Sequence, residues 1–364
     1  GDGERALIDR LLAAPTAVVE DGGEGFLHFS TARRRFVVVG TPGGEPYTRI
    51  IAAGAGTPDL AVIRVDAERG LLSPARRHSV ILGLMGVRHV VLAVNRGGRA
   101  EFSRQAFEGI EAAYRDFAKA VGIANVLAMP VCAVDGDNVV APSRRTAWYA
   151  GPTLMEHLET VALEDDLGTR PFRLPVQQVI RAEGGRPGCA GRIASGTVAP
   201  GDAVRILPSG RGSRIARIAT AGGDLARAVA RQSVTLVLED DPGVSRGDVI
   251  AAAGELVEVA SQFEATLAWT GDAPLLPGRD YRMEIGACTA TATVMPLKYR
   301  LDPDTLEHAA ATKLERGEIG VAQLELDRPV AFEPFEANRD LGSFLLVARL
   351  SGRALAAGLP RFPL

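Results

Sequence analysis

The chain has 364 residues, 46% of them hydrophobic and 23% charged, the make-up of an ordinary soluble globular protein long enough for two or three domains, each with its own core. A formal net charge of −3 supplies no field to draw nucleic acid or an anionic membrane, so neither is expected as a partner. Cys132, Cys189 and Cys288 lie far apart and form no C-x-x-C pair, which points to inert thiols in a reducing compartment; without a signal peptide or a run of roughly 18 apolar residues, the cytoplasm is the expected location.

Ala6–Leu12 reads as the end of a short amphipathic helix, and Glu20–Gly25 as a glycine-rich loop. Two strand-like runs, Glu24–Ser30 and Arg35–Val39, flank the turn Thr31-Ala32-Arg33-Arg34 and predict a hairpin at a sheet edge. The second run ends abruptly in Gly40-Thr41-Pro42-Gly43-Gly44, as a buried strand does when it delivers a loop to the carboxyl edge of a sheet, where open α/β sheets keep their ligands. Then βα units recur: strand Leu60–Val65 with helix Pro74–Leu84, strand His89–Val94 with helix Ser103–Val121, strand Val126–Cys132 with helix Thr153–Val161. In the longest helix Phe107, Ile110, Tyr114, Phe117 and Val121 recur at spacings of 3 and 4, one apolar stripe that packs on a sheet. Alternation of this kind predicts a parallel, doubly wound sheet.

After Glu164–Pro171 the helical period fades and short β-rich runs are punctuated by Gly and Pro: Phe172–Ile180, Gly188–Ile193, Ala203–Leu207, Arg214–Thr220 and Ser233–Leu238. These predict a small barrel. The alanine-rich stretch Ile250–Val259 separates it from a second set, Gln262–Trp269, Asp280–Ile285, Cys288–Tyr299, Ile319–Leu326 and Ser343–Leu350, which predicts another. The organisation is an α/β domain over 1–165 and β-barrels over 166–257 and 258–364.

That is the architecture of the translation-factor GTPases, with a P-loop-GTPase-like doubly wound sheet followed by two β-barrels as in elongation factor Tu. Phe29-Ser30-Thr31, Thr41-Pro42-Gly43 with Tyr47-Thr48-Arg49, and Arg76-Arg77-His78-Ser79 before an apolar helix narrow the match. So do Asp135-Gly136-Asp137-Asn138-Val139, Trp148-Tyr149-Ala150-Gly151-Pro152-Thr153-Leu154, Ala190–Gly196, Leu207-Pro208-Ser209-Gly210, Ser245-Arg246-Gly247-Asp248 and Lys298-Tyr299-Arg300. Together they resemble the large GTPase subunit of bacterial sulfate adenylyltransferase, essentially end to end. The resemblance implies a partner, a small catalytic subunit that makes adenosine 5′-phosphosulfate and pyrophosphate from ATP and sulfate, driven by GTP hydrolysis in the large subunit.

Position by position, the resemblance also implies that the GTP site is altered. Where the family's phosphate loop has Gly-Lys-Ser/Thr, this chain has Gly3-Glu4-Arg5. The phosphate-binding cation is thus an anion, a reversal costing several kcal/mol, on the order of twice the ~4 kcal/mol of one pair of charges roughly 4 Å apart at an effective dielectric near 20. Gly40 stands for the Asp that reaches Mg²⁺, Gly44 for the residue that positions water, and Glu20–Gly22 for the switch Gly-Ile-Thr, while Gly43 is kept. Asn95-Arg96-Gly97-Gly98 keeps the Asn of the guanine-reading Asn-Lys-x-Asp but loses its carboxylate at Gly98, and Cys132-Ala133 stands where Ser-Ala holds the guanine oxygen. The residues imply a pseudo-GTPase: no catalytic residue, no metal site, and neither GTP nor Mg²⁺ held, with ATP used by the partner. Two other readings stay open, a free-standing binding module derived from the family and a repurposed nucleotide or anion site built on Arg5, Arg96 and the Gly40–Gly44 loop.

Of the remaining candidates, His28, His89, His157 and His308 lack metal-ligand spacing, His78 beside Arg76 and Arg77 reads as a solvated helix-surface residue before one that faces a partner or a phosphate, and the basic turn Arg33–Arg35 reads as solvated. Asp135 and Asp137 read as a capped turn before a cation site, Trp148-Tyr149 as a loop anchored on the core, and Trp269 as barrel core.

Overall fold

The computed structural model describes residues 2–14, 18–20, 26–39, 58–96, 103–163, 166–181, 187–335 and 337–364. The chain divides into two compact units, residues 1–163 with 303–306, and residues 164–302 with 307–364.

The first unit runs α1 (Asp2–Leu12), β1 (Val18–Glu20), β2 (Phe26–Ser30), β3 (Arg35–Val39), β4 (Leu60–Asp66), α2 (Ser73–Leu84), β5 (His89–Asn95), α3 (Arg104–Ala120), β6 (Asn125–Val131) and α4 (Leu154–Thr160). Strands β4, β5 and β6 pair in parallel in that order, Leu60 opposite His89 and His89 opposite Asn125. The run Val-Val-Leu-Ala-Val of β5 is buried throughout, as a central parallel strand covered on both faces must be. Val91 and Ala93 share one cluster with Leu7 and Leu11 of α1 and Leu154 and Met155 of α4. Residues of the other parity face α2 and α3, whose Tyr114 is fully buried and bonds Ser79 at 2.8 Å across the helix pair. Ser103 caps α3 by accepting from the Ala106 N–H at 3.2 Å, so its side chain fixes the start the periodicity predicts. The expected hairpin forms, but β1 joins it, and β1-β2-β3 is an antiparallel sheet of its own among the described residues. Phe29 and Phe36, stacked at 4.6 Å, carry its apolar side into the same core.

In the second unit the first β block comprises Arg173–Pro175, Gln178–Arg181, Pro187–Arg192, Ala203–Leu207, Arg211–Thr220, Ser233–Leu238 and Val249–Ala252. Its ring is brought together where the Arg173 N–H donates to the Ser195 carbonyl at 3.0 Å and the Ala194 N–H to the Arg173 carbonyl at 2.9 Å. Leu174, Cys189, Ile206, Leu236 and Ile250 fill it. Burial pushes the Cys189 thiol up to about 12, the inert state expected of it. Val249–Ala252, read from sequence as part of an alanine-rich spacer, is a strand between Arg173–Pro175 and Ala203–Leu207.

The second block closes fully. Six strands, Glu258–Trp269, Ile319–Phe332, Cys288–Leu301, Asp280–Ile285, Phe344–Val347 and Ala354–Pro363, pair in that order and return to the first. Phe263 packs on Phe332 at 5.0 Å and Phe344 at 5.8 Å, and Trp269, buried as expected, donates from Nε1 to the Ala273 carbonyl at 2.8 Å. The final strand escapes sequence reading because Ala, Gly and Pro dominate it, residues that propensity places outside strands. Its Gly358 passes so close to Phe344 that a Cβ there would lie 2.1 Å from the ring. The two blocks meet over Leu207, Val249, Ala251, Ala331 and Leu341. Beside them the fully buried Arg173 donates to Glu333 at 2.9 Å and to the carbonyls of Phe172 and Leu256 at 2.9 and 3.0 Å.

Candidate functional site

The carboxyl edge of the parallel sheet is where an α/β fold of this kind keeps its ligand. Of the positions singled out in the sequence, Gly3, Glu4 and Arg5 form the first turn of α1, with Arg5 exposed while Leu7 and Leu11 are buried. Asn95 closes β5 and Cys132 follows β6; the parallel register sets Asn95 opposite Val131, which brings the two candidates to adjacent strand ends. Gly40, Gly43, Gly44 and Gly98 lie outside the described residues, as do Asp21 and Gly22 of the switch segment.

At this edge the chain is bonded to itself. Asn95 Oδ1 accepts from the Ala133 N–H at 3.1 Å, and Asn95 Nδ2 donates to the Arg96 carbonyl at 3.2 Å. The Arg96 side chain, 9% exposed, reaches across from the loop after β5 to the loop after β6, where Nη2 donates to Asp135 Oδ2 at 2.6 Å and lies 3.8 Å from Cys132 Sγ. Arg145 donates to the same Asp135 oxygen and to Asp137 at 3.2 Å. Asp137 also accepts from Ser143 Oγ at 2.7 Å. The Arg145 guanidinium beside Asp135 holds its carboxyl below the usual carboxylate range, with Cys132 and Arg96 acting in the same direction. Charge-assisted bonds therefore chain Arg96, Asp135, Arg145 and Asp137 together across two loops.

Asn138 fixes the backbone under this chain. It sits in the left-handed region at φ 56°, which Asn tolerates better than most residues. Its side chain donates to the Pro130 carbonyl and to Thr146 Oγ1, both at 2.8 Å, and accepts from the Ser143 N–H at 2.8 Å. Arg10 of α1 donates to the Val134 carbonyl, tying the first helix to the same loop.

One atom from each of Cys132, Asp135 and Asp137 falls within 4.8 Å of the others, the one such His, Cys, Asp and Glu group among the described residues. Each carboxylate already serves a guanidinium, so a divalent cation would have to displace Arg145 and face Arg96; the donor set fits an ion pair better than a metal. The capped-turn expectation for Asp135 and Asp137 holds as far as Asp137, whereas Asp135 is the hub of an arginine pair.

Two further side chains act differently from their sequence context. Arg34, in the turn expected to be solvated, donates to the carbonyls of Leu158 and Val161 at 2.9 Å each and so caps the end of α4. Arg33 and Arg35 are exposed, as expected. Tyr149 and Trp148 both pack on Phe107, at 6.4 and 5.3 Å, and Tyr149 donates to the Pro152 carbonyl at 3.1 Å, which is the anchored loop the sequence implies. No helix among the described residues is long and apolar enough to cross a membrane.

Comparison with known proteins places this edge in a family. The profile of the elongation factor Tu GTP-binding domain matches residues 23–165, and that of the GTP-eEF1A C-terminal domain matches 262–359. The crystal structure of Sup35 complexed with GDP superposes with a TM-score of 0.52 at 24% identity, covering 93% of this chain and 84% of that one, a likeness of fold alone. Sulfate adenylyltransferase subunit 1 of Saccharophagus degradans is 40% identical over 92% of this chain and 71% of its own length. The subunit 1 of Aeromonas hydrophila is 42% identical over 92% of this chain and 70% of its own. The bifunctional enzyme NodQ of Rhizobium sp. strain N33 is 44% identical over 91% of this chain, which spans 51% of that relative. The chain thus covers about half the length of the bifunctional relative and about 70% of the subunit 1 relatives. It belongs to the family of sulfate adenylyltransferase large subunits, built on the translation-factor GTPase fold.

Proposed function

We propose that this chain is a pseudo-GTPase large subunit of a heteromeric sulfate adenylyltransferase, a scaffold for a small catalytic subunit that makes adenosine 5′-phosphosulfate and pyrophosphate from ATP and sulfate. The observation that carries the proposal is the bonding at the carboxyl edge. The Ala133 N–H, in the position that meets the guanine oxygen in the family, is already given to Asn95, and Arg96 is committed to Asp135. A purine arriving there would exchange made bonds for new ones without the second acceptor that Gly98 no longer supplies, so little net affinity remains. The commitment of Arg96 also weighs against a repurposed anion site built on Arg5 and Arg96.

Two measurements test this. Calorimetry of the chain with GTP and Mg²⁺ is expected to show no binding at micromolar concentrations; micromolar or tighter affinity refutes the pseudo-GTPase. Co-expression with a small adenylyltransferase subunit is expected to yield a complex that releases pyrophosphate from ATP and sulfate at a rate indifferent to GTP. A chain that purifies alone points instead to a free-standing binding module.

A further inference from the structure

The opposite end of the parallel sheet carries a cavity that plays no part in the proposal above. His89 and Asn125, the first residues of β5 and β6, stand side by side in the parallel register. With His157 of α4 and Arg115 of α3 they line a cavity of about 220 Å³, whose remaining lining is apolar. That is below the roughly 300–1,000 Å³ of sites for drug-sized ligands, so it suits a small ion or one group of a larger molecule. Two imidazoles, a guanidinium and a carboxamide all offer N–H donors, and no carboxylate lines the space.

Charges of both signs surround the site, and the lining decides between them. On α3, Glu111 lies one turn from Arg115 and accepts from its Nε and Nη2 at 2.9 and 2.8 Å. On α4, Glu156 is exposed and Glu159 half-buried. Arg88 precedes β5, and the Arg34 guanidinium near the end of α4 is spent on the Leu158 and Val161 carbonyls. Among the lining residues a second cation at the two imidazoles would meet the Arg115 guanidinium, whereas an anion would meet N–H donors, with Arg115 shared with Glu111.

We propose that this cavity is a binding site for a tetrahedral oxyanion, a free sulfate or phosphate ion or the phosphoryl group of a larger ligand, held by His89, His157, Arg115 and Asn125. Both imidazoles bind best as cations, so affinity rises as pH falls. Burial and the neighbouring His89 hold the His157 imidazole below its ordinary value, and an anion beside it would raise it.

The experiment follows the imidazole signals of the full chain by NMR through a pH titration, with sulfate, with AMP and with Zn²⁺ as separate probes; His89→Gln and His157→Gln assign the two resonances. Sulfate is the primary probe because its charge is constant between about pH 5 and 8, so any pH dependence belongs to the protein. Sulfate is expected to raise the titration midpoints of His89 and His157 and to leave those of His28, His78 and His308 in place. Its affinity is expected to grow up to about tenfold per pH unit for each linked proton, and Arg115→Gln to weaken it several-fold without moving the fold's spectrum. A response to AMP at concentrations below those needed for sulfate identifies a phosphoryl group of a larger ligand, and a response to sulfate alone identifies the free ion. Midpoints unmoved by both anions, or moved by Zn²⁺ alone, overturn the proposal.

Discussion

The closed barrel over residues 258–364 and the carboxyl edge of the parallel sheet are held by different forces. In the barrel a backbone ladder returns on itself around Phe263, Trp269, Phe332 and Phe344. At the sheet edge Ala133 and Val139 still reach the apolar core, but Arg96, Asp135, Arg145 and Asp137 bond one another across the loops by charge. Family likeness survives in both regions, but for different reasons. Barrel residues are constrained by volume and register, whatever the first unit binds. The edge is constrained by what it must bind, and on the proposed reading the residue types there have changed while the strands that present them have not.

Mutations grade this contrast. Phe263→Ala removes a fully buried ring and is expected to cost about 3–5 kcal/mol in chemical denaturation; a cost under about 1 kcal/mol would mean the barrel core is not what holds that unit. Arg173→Ala leaves Glu333 and two carbonyls without their donor and should cost about 3 kcal/mol, with Arg173→Met milder because the volume is kept. Equal losses for the two variants would argue that the lost donor bonds, and not the packing volume, are at stake.

At the sheet edge the effects should be smaller. Asp135→Asn weakens the shared acceptor of Arg96 and Arg145 and should lower the unfolding midpoint of the α/β unit slightly, a loss that added salt reproduces in the parent protein. A drop as large as that of Phe263→Ala would erase the distinction between the two regions. The smallest expected effect is a pH dependence. Because the folded His157 takes up a proton less readily than the unfolded chain, its contribution to stability is complete above the ordinary histidine pKa near 6.5. It falls as pH drops below that value and levels off below the lowered folded pKa. Denaturation midpoints of His157→Gln should vary less over that window than those of the parent, and parallel profiles would show that other groups set the slope.

Much of the fold was legible because it is written in local periodicities. The apolar stripe of α3 predicts Ser103–Val121 and the helix spans Arg104–Ala120, stopped by its Ser103 cap; the three parallel strands lie within a residue of their predicted ends. Elements whose formation depends on distant partners were not legible. Ala354–Pro363 becomes a strand because Glu258–Trp269 and Phe344–Val347 flank it, against its own composition. At the candidate site the positions that the family resemblance implies are altered could be read one by one, but Arg96 and Asp135 are 39 residues apart and no spacing rule pairs them. Arg34 likewise reads as a solvated turn until α4 places its last carbonyls within reach.

The bond from the Ala133 N–H to Asn95 bears on the order in which such a site can change. On the proposed reading, once the donor has found a partner within the chain, restoring one lost group brings no ligand back, since the internal partner must also be given up. Gly98→Asp alone is therefore expected to leave GTP affinity where it is, and regain to require Glu4→Lys and release of Arg96 from Asp135 together. A lineage that reached this arrangement by single steps would find no single step leading back.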